Sequence, residues 1–255
     1  MTELSVASLG KSFGALRAVD DVSFSVARGE FLALIGPNGA GKSTCFNVIN
    51  GQLAPDAGRV CFEGRDIGGL PPRAVCRRGI ARTFQIAAVF SSMTVLENVQ
   101  MALIAHARET YRLWRKANSL HRARALDLLR QVGMHAAADR PSRELAYGDV
   151  KRLELAVALA SDPRLLLMDE PTAGMAARER NDLFALVKAL VVERGISVLF
   201  TEHSMDVVFA FADRIIVMAR GRLIADGDAR TIRDDPAVRQ VYFGSGRTLT
   251  RAAFS

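Results

Sequence analysis

The sequence contains few of the features that mark oxidised or membrane-embedded proteins. It has three cysteines, Cys45, Cys61 and Cys76, an odd number without a close pair. Neither a disulfide framework nor a zinc site is predicted, and we expect buried, reduced thiols. No stretch approaches the roughly 18 uninterrupted apolar residues that a membrane helix needs, and the N-terminus lacks the pattern of a signal peptide. We therefore expect a cytosolic protein.

The bulk composition is that of a globular protein with a basic surface. With 255 residues, 49% of them hydrophobic, the chain is long enough for one large domain with a substantial core. The net charge of +7 is compatible with nucleic acid, an anionic membrane surface or an acidic partner. Part of this charge is local, in Arg108, Arg112, Arg115, Lys116, Arg122, Arg124 and Arg130. Such a run is more often a solvated helix face, and we favour that interpretation.

Residues 36–44 read Gly-Pro-Asn-Gly-Ala-Gly-Lys-Ser-Thr and match the phosphate-binding pattern Gly-x4-Gly-Lys-Ser/Thr. The apolar run 30–35 predicts a buried parallel strand before this loop, and a short helix is expected after it, ending near Gly51. Free backbone N–H groups and the dipole at the helix start favour an anion. Lys42 would reach the outer phosphates, and Ser43 would complete the shell of a Mg²⁺ ion. The alternative is a glycine turn before an ordinary helix.

Two later strands are expected to end in functional side chains. The apolar run 165–168 leads into Asp169 and Glu170, and the run 196–200 leads to His203. These strands and the one before the phosphate loop should lie in one parallel sheet with their carboxyl ends at one edge. Asp169 would anchor Mg²⁺, Glu170 would act as general base for water, and His203 would hydrogen-bond a phosphate oxygen or that water. Alternatively, the acidic pair caps a helix and the histidine has an ordinary role.

The rest of the chain predicts an α/β fold with a parallel sheet, an antiparallel β flank and an inserted helical subdomain. Short strands are expected over residues 4–31, where apolar and polar residues alternate. Residues 86–148 read as helical, with Thr94 and Glu97 forming a capping box. We expect a single domain over residues 1–244, followed by a flexible tail at 245–255.

The order of the motifs resembles the nucleotide-binding subunit of an ABC transporter over nearly the whole chain. The correspondence comprises Phe13 for the adenine-stacking aromatic, 36–44 for Walker A, Gln85 for the Q-loop, 145–149 for the signature, 165–170 for Walker B and His203 for the switch histidine. The resemblance implies a P-loop NTPase core of the RecA-like type. It also implies ATP and Mg²⁺ as cofactors.

The family's residue roles carry over to the matching positions. Nucleotide contacts are implied for Phe13, Gly36, Asn38, Gly39, Gly41, Lys42, Ser43, Thr44, Ala146 and Gly148; metal contacts for Ser43, Gln85 and Asp169; and catalysis for Glu170, His203 and Gln85. The resemblance further implies that the signature of one subunit closes over ATP bound to another. One subunit then holds half of each composite site, and the partner's signature helix presents its N-terminus to the γ-phosphate.

Three positions depart from the family pattern. Ala146 replaces the usual serine of the signature, so one hydroxyl contact worth about 0.5–1.5 kcal/mol is missing. Asp149 stands where glutamine or glutamate is common. Residues 173–176 lack the usual acidic or amide residue, ending instead in Ala176. We expect hydrolysis to survive on the Gly148 N–H and the helix dipole.

The Leu-Ala-Tyr-Gly signature and residues 235–244 are similar to those of branched-chain and hydrophobic amino-acid importers. This similarity implies a peripheral subunit on the cytoplasmic face of the membrane, paired with an identical or related ATPase, permease subunits and an external binding protein. Amides, urea and aromatic acids remain open as substrates. A lipopolysaccharide-type exporter is the main alternative. A soluble ATPase acting on DNA or ribosomes is disfavoured by the single Walker A loop and the lack of sustained heptads, and we expect no nucleic-acid partner.

Overall fold

An antiparallel sheet forms one layer of this computed structural model, which describes residues 2–83, 89–107 and 120–243. Its strands are β1 (Thr2–Phe13), β2 (Leu16–Ala27), β4 (Ala57–Phe62) and β5 (Arg65–Asp66), in the order β2-β1-β4-β5. The β flank was predicted, but not its length, since β1 and β2 form a hairpin of two 12-residue strands with several register shifts. These shifts break the strict alternation from which short strands were predicted.

The second sheet carries the site. Its strands are β3 (Phe31–Ile35), β6 (Ile80–Thr83), β7 (Leu165–Asp169), β8 (Ser197–Thr201), β9 (Arg214–Ala219) and β10 (Arg222–Gly227). They lie in the order β10-β9-β3-β8-β7-β6, and all neighbours are parallel except β9 and β10. The adjacent strands β3, β8 and β7 are those predicted to share an edge. The α/β fold with a parallel sheet is therefore confirmed.

Both faces of this sheet are covered, which explains why its strands are apolar throughout. Along β3, Phe31 and Ile35 belong to one buried cluster, while Leu32 and Leu34 belong to the cluster on the other face. The helices are α1 (Lys42–Ile49), α2 (Pro72–Arg77), α3 (Val95–His106), α4 (Arg122–Gln131), α5 (Tyr147–Leu159), α6 (Ala177–Arg194), α7 (Met205–Phe211), α8 (Ala229–Asp234) and α9 (Pro236–Phe243). Among the cysteines, Cys45 is buried, but Cys61 and Cys76 are only partly so, which corrects the expectation of three buried thiols.

Helices α3 and α4 belong to the predicted insertion. The Thr94 hydroxyl accepts the Glu97 N–H and the Glu97 carboxylate accepts the Thr94 N–H, so the capping box is confirmed. Short 3-10 helices, His135–Ala137 and Ser142–Glu144, lead to α5. The boundary near residue 86 and the tail 245–255 lie outside the described residues, so the division of the chain stays a prediction.

The basic run is described only in part, because residues 108–119 lie outside the described ranges. In α4, Arg124 contacts Asp162 at 2.6 Å, and Arg130 lies 3.8 Å from Asp127. Such exposed pairs favour a solvated helix face over a surface reserved for a polyanion. Within the part of the chain that the structure describes, no helix combines the length and apolar character needed to cross a bilayer.

Candidate nucleotide site

The phosphate loop lies between the end of β3 and the start of α1. Gly36 and Gly41 have φ angles of 154° and 104°. A Cβ atom would lie 2.2 Å from the Met218 carbonyl oxygen at Gly36 and 2.2 Å from the Ala18 carbonyl oxygen at Gly41. Both positions therefore require glycine for space and for backbone conformation. The loop packs against β2 and β9 through these two close approaches.

A cavity of about 720 Å³ opens over this loop. It is lined by eight of the predicted site residues, namely Phe13, Asn38, Gly39, Gly41, Lys42, Ser43, Thr44 and Glu170. Phe13 stands at the end of β1 with 49% of its surface exposed, so the face of an aromatic base can reach its ring. Sequence reasoning missed Leu16, Arg17 and Arg220, which also line the cavity. Leu16 and Arg17 begin β2 and Arg220 lies in the turn between β9 and β10, and none of these segments carries a phosphate-binding pattern.

Lys42 is held by the loop itself. Its Nζ donates to the carbonyl oxygens of Gly36 at 2.7 Å and Pro37 at 3.1 Å, and the residue is 6% exposed. Burial lowers the pKa of the Lys42 ammonium, while the negative charges of Glu170 and Asp169 act in the opposite direction. The lysine is thus aimed at the loop and lies within the field of both carboxylates.

Asp169 ends β7 next to Glu170 and does not itself line the cavity, and both of its carboxylate oxygens are engaged. Oδ1 accepts a hydrogen bond from the Thr201 hydroxyl at 2.7 Å, and Oδ2 contacts Arg82 at 2.8 Å. Neither partner was assigned a role from the sequence. Thr201 could have been found as a polar residue closing a buried strand, whereas Arg82 precedes Thr83 in β6 without a recognisable signal.

Glu170 and His203 form a contact at the carboxyl edge of the sheet. The Glu170 Oε1 atom lies 2.7 Å from His203 Nε2. Glu170 has a φ of 48°, and its N–H donates to the backbone oxygen and the hydroxyl of Thr201. A left-handed glutamate is costly and is held here by its neighbours. The buried Glu202 carboxylate accepts hydrogen bonds from Thr172 and from the His203 N–H, which fixes the loop carrying the histidine.

Ala146 and Gly148 lie elsewhere. Ala146 is the N-cap of α5 and has no side-chain capping bond, and Gly148 follows in the first turn. Neither residue lines the cavity over the phosphate loop. Gln85, predicted for catalysis and for metal binding, lies outside the described residues.

The oxygen donors near the loop suit a hard divalent cation. Ser43 supplies an exposed hydroxyl and Asp169 a carboxylate, and Mg²⁺ is commonly bound by one or two protein oxygens together with water and substrate phosphates. Among the described residues there is no cluster of three or more His, Cys, Asp or Glu side chains that could form an all-protein metal site. The chemistry of the donors therefore fits a cation that arrives with a phosphate ligand.

Comparisons with known proteins agree with this geometry. Residues 19–173 match the family model described as ABC transporter, and residues 222–248 match the model described as branched-chain amino acid ATP-binding cassette transporter. The chain is 37% identical over 248 residues to the high-affinity branched-chain amino acid transport ATP-binding protein BraF of Pseudomonas aeruginosa, covering 94% of this chain and 97% of that protein.

Solved structures give the same result. The crystal structure of the ADP conformation of an ATP-binding cassette of an ABC transporter superposes with a TM-score of 0.86 at 36% identity, covering 96% of this chain and 100% of that one. A dimeric, post-hydrolysis cassette bound to ADP and Pi gives a TM-score of 0.75 at 28% identity, over 89% of this chain and 99% of the other. The chain therefore belongs to the ABC transporter family, as one of its ATPase cassettes.

Proposed function

We propose that this chain is the ATP-hydrolysing subunit of an importer for branched-chain or related amino acids. The observation that carries the hydrolytic part is the contact between Glu170 and His203 beside a cavity floored by the phosphate loop. A carboxylate next to an imidazole at a phosphate site can hold a water for attack on phosphorus.

Each side chain of the site is assigned a separate role. Phe13 stacks on adenine, and the loop N–H groups with Lys42, Ser43 and Thr44 bind the phosphates. Glu170 accepts the proton of the attacking water, and His203 orients Glu170 and the γ-phosphate. Gln85 is assigned a sensing and metal-binding role from the family resemblance.

Ser43 and Asp169 would hold Mg²⁺ together with the phosphates. The positive charge of the ion would offset the negative charge of the phosphate oxygens. The contribution of the chain is to fix its two oxygen donors on neighbouring elements: Ser43 in the first turn of α1 and Asp169 at the end of β7.

Ala146 and Gly148 are assigned to a composite site. They begin α5 away from the cavity of their own chain, so they would face a nucleotide only on a second cassette. The free N–H groups at this helix start favour an anion. This supports a working dimer of two identical or related ATPase subunits.

The proposed import role and substrate class are supported by the C-terminal segment 222–248 and by the transport function for which the relatives are named. We assign the chain to the cytoplasmic face of the membrane, with permease subunits and an external binding protein as partners and no nucleic acid. Amino-acid uptake by cells that carry the gene of this chain, compared with cells from which it is deleted, tests the role. Uptake of labelled leucine that disappears with the chain supports import, and export without uptake contradicts it.

Glu170→Gln tests the hydrolytic assignment. The variant should lose turnover by at least about 100-fold, because the base is lost, and should retain ATP binding. ATP-bound dimers should then accumulate in size-exclusion chromatography. Glu144→Gln is the matched control, since Glu144 is exposed outside the cavity, and it should hydrolyse ATP normally. Unchanged hydrolysis in Glu170→Gln contradicts the assignment.

A further inference from the structure

Arg82 joins three elements around Asp169. Its Nη2 lies 2.8 Å from Asp169 Oδ2 at the end of β7, while its Nη1 donates to Asn47 Oδ1 at 2.7 Å and to Gln52 Oε1 at 3.0 Å. Asn47 belongs to α1, the helix that the phosphate loop begins, and Gln52 follows that helix. One guanidinium therefore ties the strand β6 to the phosphate-loop helix and to the Asp169 carboxylate.

The pair is largely shielded from water, with 11% of the Arg82 side chain and 8% of the Asp169 side chain exposed. A charge-assisted bond in such a place is screened little and has a defined geometry. Exposed ion pairs of the same chain, such as that between Arg124 and Asp162, lack this shielding. The Arg82 contact is therefore strong enough to determine how Asp169 is oriented.

Both oxygens of Asp169 are fixed in direction, Oδ2 by Arg82 and Oδ1 by the Thr201 hydroxyl. A carboxylate oxygen has two lone-pair sites, so each oxygen can still accept one further partner. Carboxylates that bind metals are commonly held by such outer contacts, whose loss costs about 10–100-fold in metal affinity. The neutral oxygens of Asn47 and Gln52 hold the guanidinium from the other side, so Arg82 keeps its place when Asp169 takes a second partner.

We propose that Arg82 is a positioning residue that orients the Asp169 carboxylate for a divalent cation and thereby sets how much Mg²⁺ the site requires. This inference rests on the proposed role of Asp169 as a cation ligand. Arg82 itself carries a positive charge and binds no metal. Its effect is to fix the direction of Oδ2, while the Thr201 hydroxyl holds Oδ1 of the same carboxylate.

The test is a titration of Arg82→Gln with Mn²⁺ at saturating ATP. Electron paramagnetic resonance measures the bound Mn²⁺ at each step. The half-saturating Mn²⁺ concentration should rise at least about 10-fold, while binding of a fluorescent ATP analogue in EDTA stays within about twofold of the wild type. Arg82→Lys keeps the charge without the planar fork and should give an intermediate shift. Arg214→Gln, which breaks the ion pairs with Asp226 and Glu30 at the start of β9, is the matched control and should titrate as the wild type.

The outcomes distinguish the proposed role of Asp169 as a cation ligand from that of Arg82 as a positioning residue. If Asp169→Asn titrates as the wild type, the proposed role of Asp169 fails. If Asp169→Asn is impaired but Arg82→Gln and Arg82→Lys titrate as the wild type, the inference about Arg82 is wrong, and a tighter Mn²⁺ site in either variant also overturns it. If Arg82→Gln does not fold, Arg82→Lys decides with Gln52→Ala, which should give a smaller shift in the same direction. A wild-type curve in both of these variants counts against the inference.

Discussion

The two ends of strand β8 carry buried hydroxyl residues whose hydrogen-bond partners differ in kind. Ser197 begins the strand and Thr201 ends it, and both are fully buried hydroxyl residues. Ser197 donates to the Glu3 carboxyl group and accepts the Gly29 N–H at 2.8 Å. Thr201 instead donates to Asp169 at 2.7 Å and accepts the Glu170 N–H at 3.0 Å.

The partners explain the difference between the two edges of the sheet. At the amino edge, Ser197 ties the parallel sheet to β1 and to the turn before β3, far along the strand from the cavity over the phosphate loop. Burial raises the pKa of Glu3, which suits a carboxyl group used as a structural hydrogen-bond partner. At the carboxyl edge, Thr201 supports a carboxylate and a left-handed glutamate beside an open cavity. Changes at the first edge should therefore alter stability, and changes at the second should alter ATP chemistry.

The largest effect is expected for Lys42→Ala at the carboxyl edge. ATP affinity should fall at least about 100-fold, because a charged contact to the phosphates worth about 3 kcal/mol is lost. Titration with a fluorescent ATP analogue measures the affinity. Lys188→Ala is the matched control, since Lys188 contacts Asp213 near the amino edge and should leave ATP affinity unchanged. Equal ATP affinities for the two variants would contradict the assignment of ATP binding to the carboxyl edge of the sheet.

His203→Ala should come next, with hydrolysis reduced about 10–100-fold and ATP binding within about twofold of the wild type. The 2.7 Å contact with Glu170 is lost, so the carboxylate is no longer oriented, while the phosphate loop is untouched. Steady-state phosphate release and nucleotide titration measure the two quantities. His135→Ala changes an exposed histidine of the insertion and should hydrolyse normally. A loss of binding equal to the loss of turnover would assign His203 to nucleotide binding instead.

Thr201→Val and Ser197→Ala test the comparison on a single strand. Thr201→Val should slow hydrolysis about 10-fold, since Asp169 and Glu170 both lose a support. Ser197→Ala should lower the free energy of unfolding by about 1–3 kcal/mol, because buried partners are left unpaired, with normal hydrolysis. Urea unfolding and ATPase rates are measured on both variants. Similar profiles for the two would show that the edges do not differ in role.

The strand ends and the phosphate loop could be predicted because each is encoded locally. An apolar run followed by glycine-rich or acidic residues defines β3 and β7, and parallel pairing then brings Lys42, Asp169 and His203 to one edge. The contacts among these side chains could not be predicted in the same way. Arg82 reaches Asp169 across 87 residues of sequence, and only the packing of β6 beside β7 makes them neighbours.

The long hairpin of β1 and β2 shows a second limit. Its register shifts place residues out of strict alternation, so the pattern indicates several short strands where two long ones form. Similarly, the sequence motif at Ala146 and Gly148 identifies a family position but not its distance from the loop. These residues lie outside the cavity of their own chain, and their proposed use at a second subunit cannot be located from the motif alone.

The smallest effect is expected for Ala146→Ser, which restores the usual signature residue. Ala146 has the extended backbone of an N-cap, with φ −64° and ψ 155°, so a serine there can accept an N–H of the first turn of α5. This should stabilise the fold by about 1 kcal/mol and raise Tm by about 2–4 °C. The same hydroxyl would also offer a contact to a γ-phosphate, but capping occupies N–H groups that would otherwise face that phosphate. Because these two effects oppose each other, the rate of ATP hydrolysis should stay within about twofold of the wild type or rise modestly. The ATPase rate and Tm are measured on the same variant. A large fall in the rate would mean that free N–H groups at Gly148 and Asp149 matter more than the missing hydroxyl.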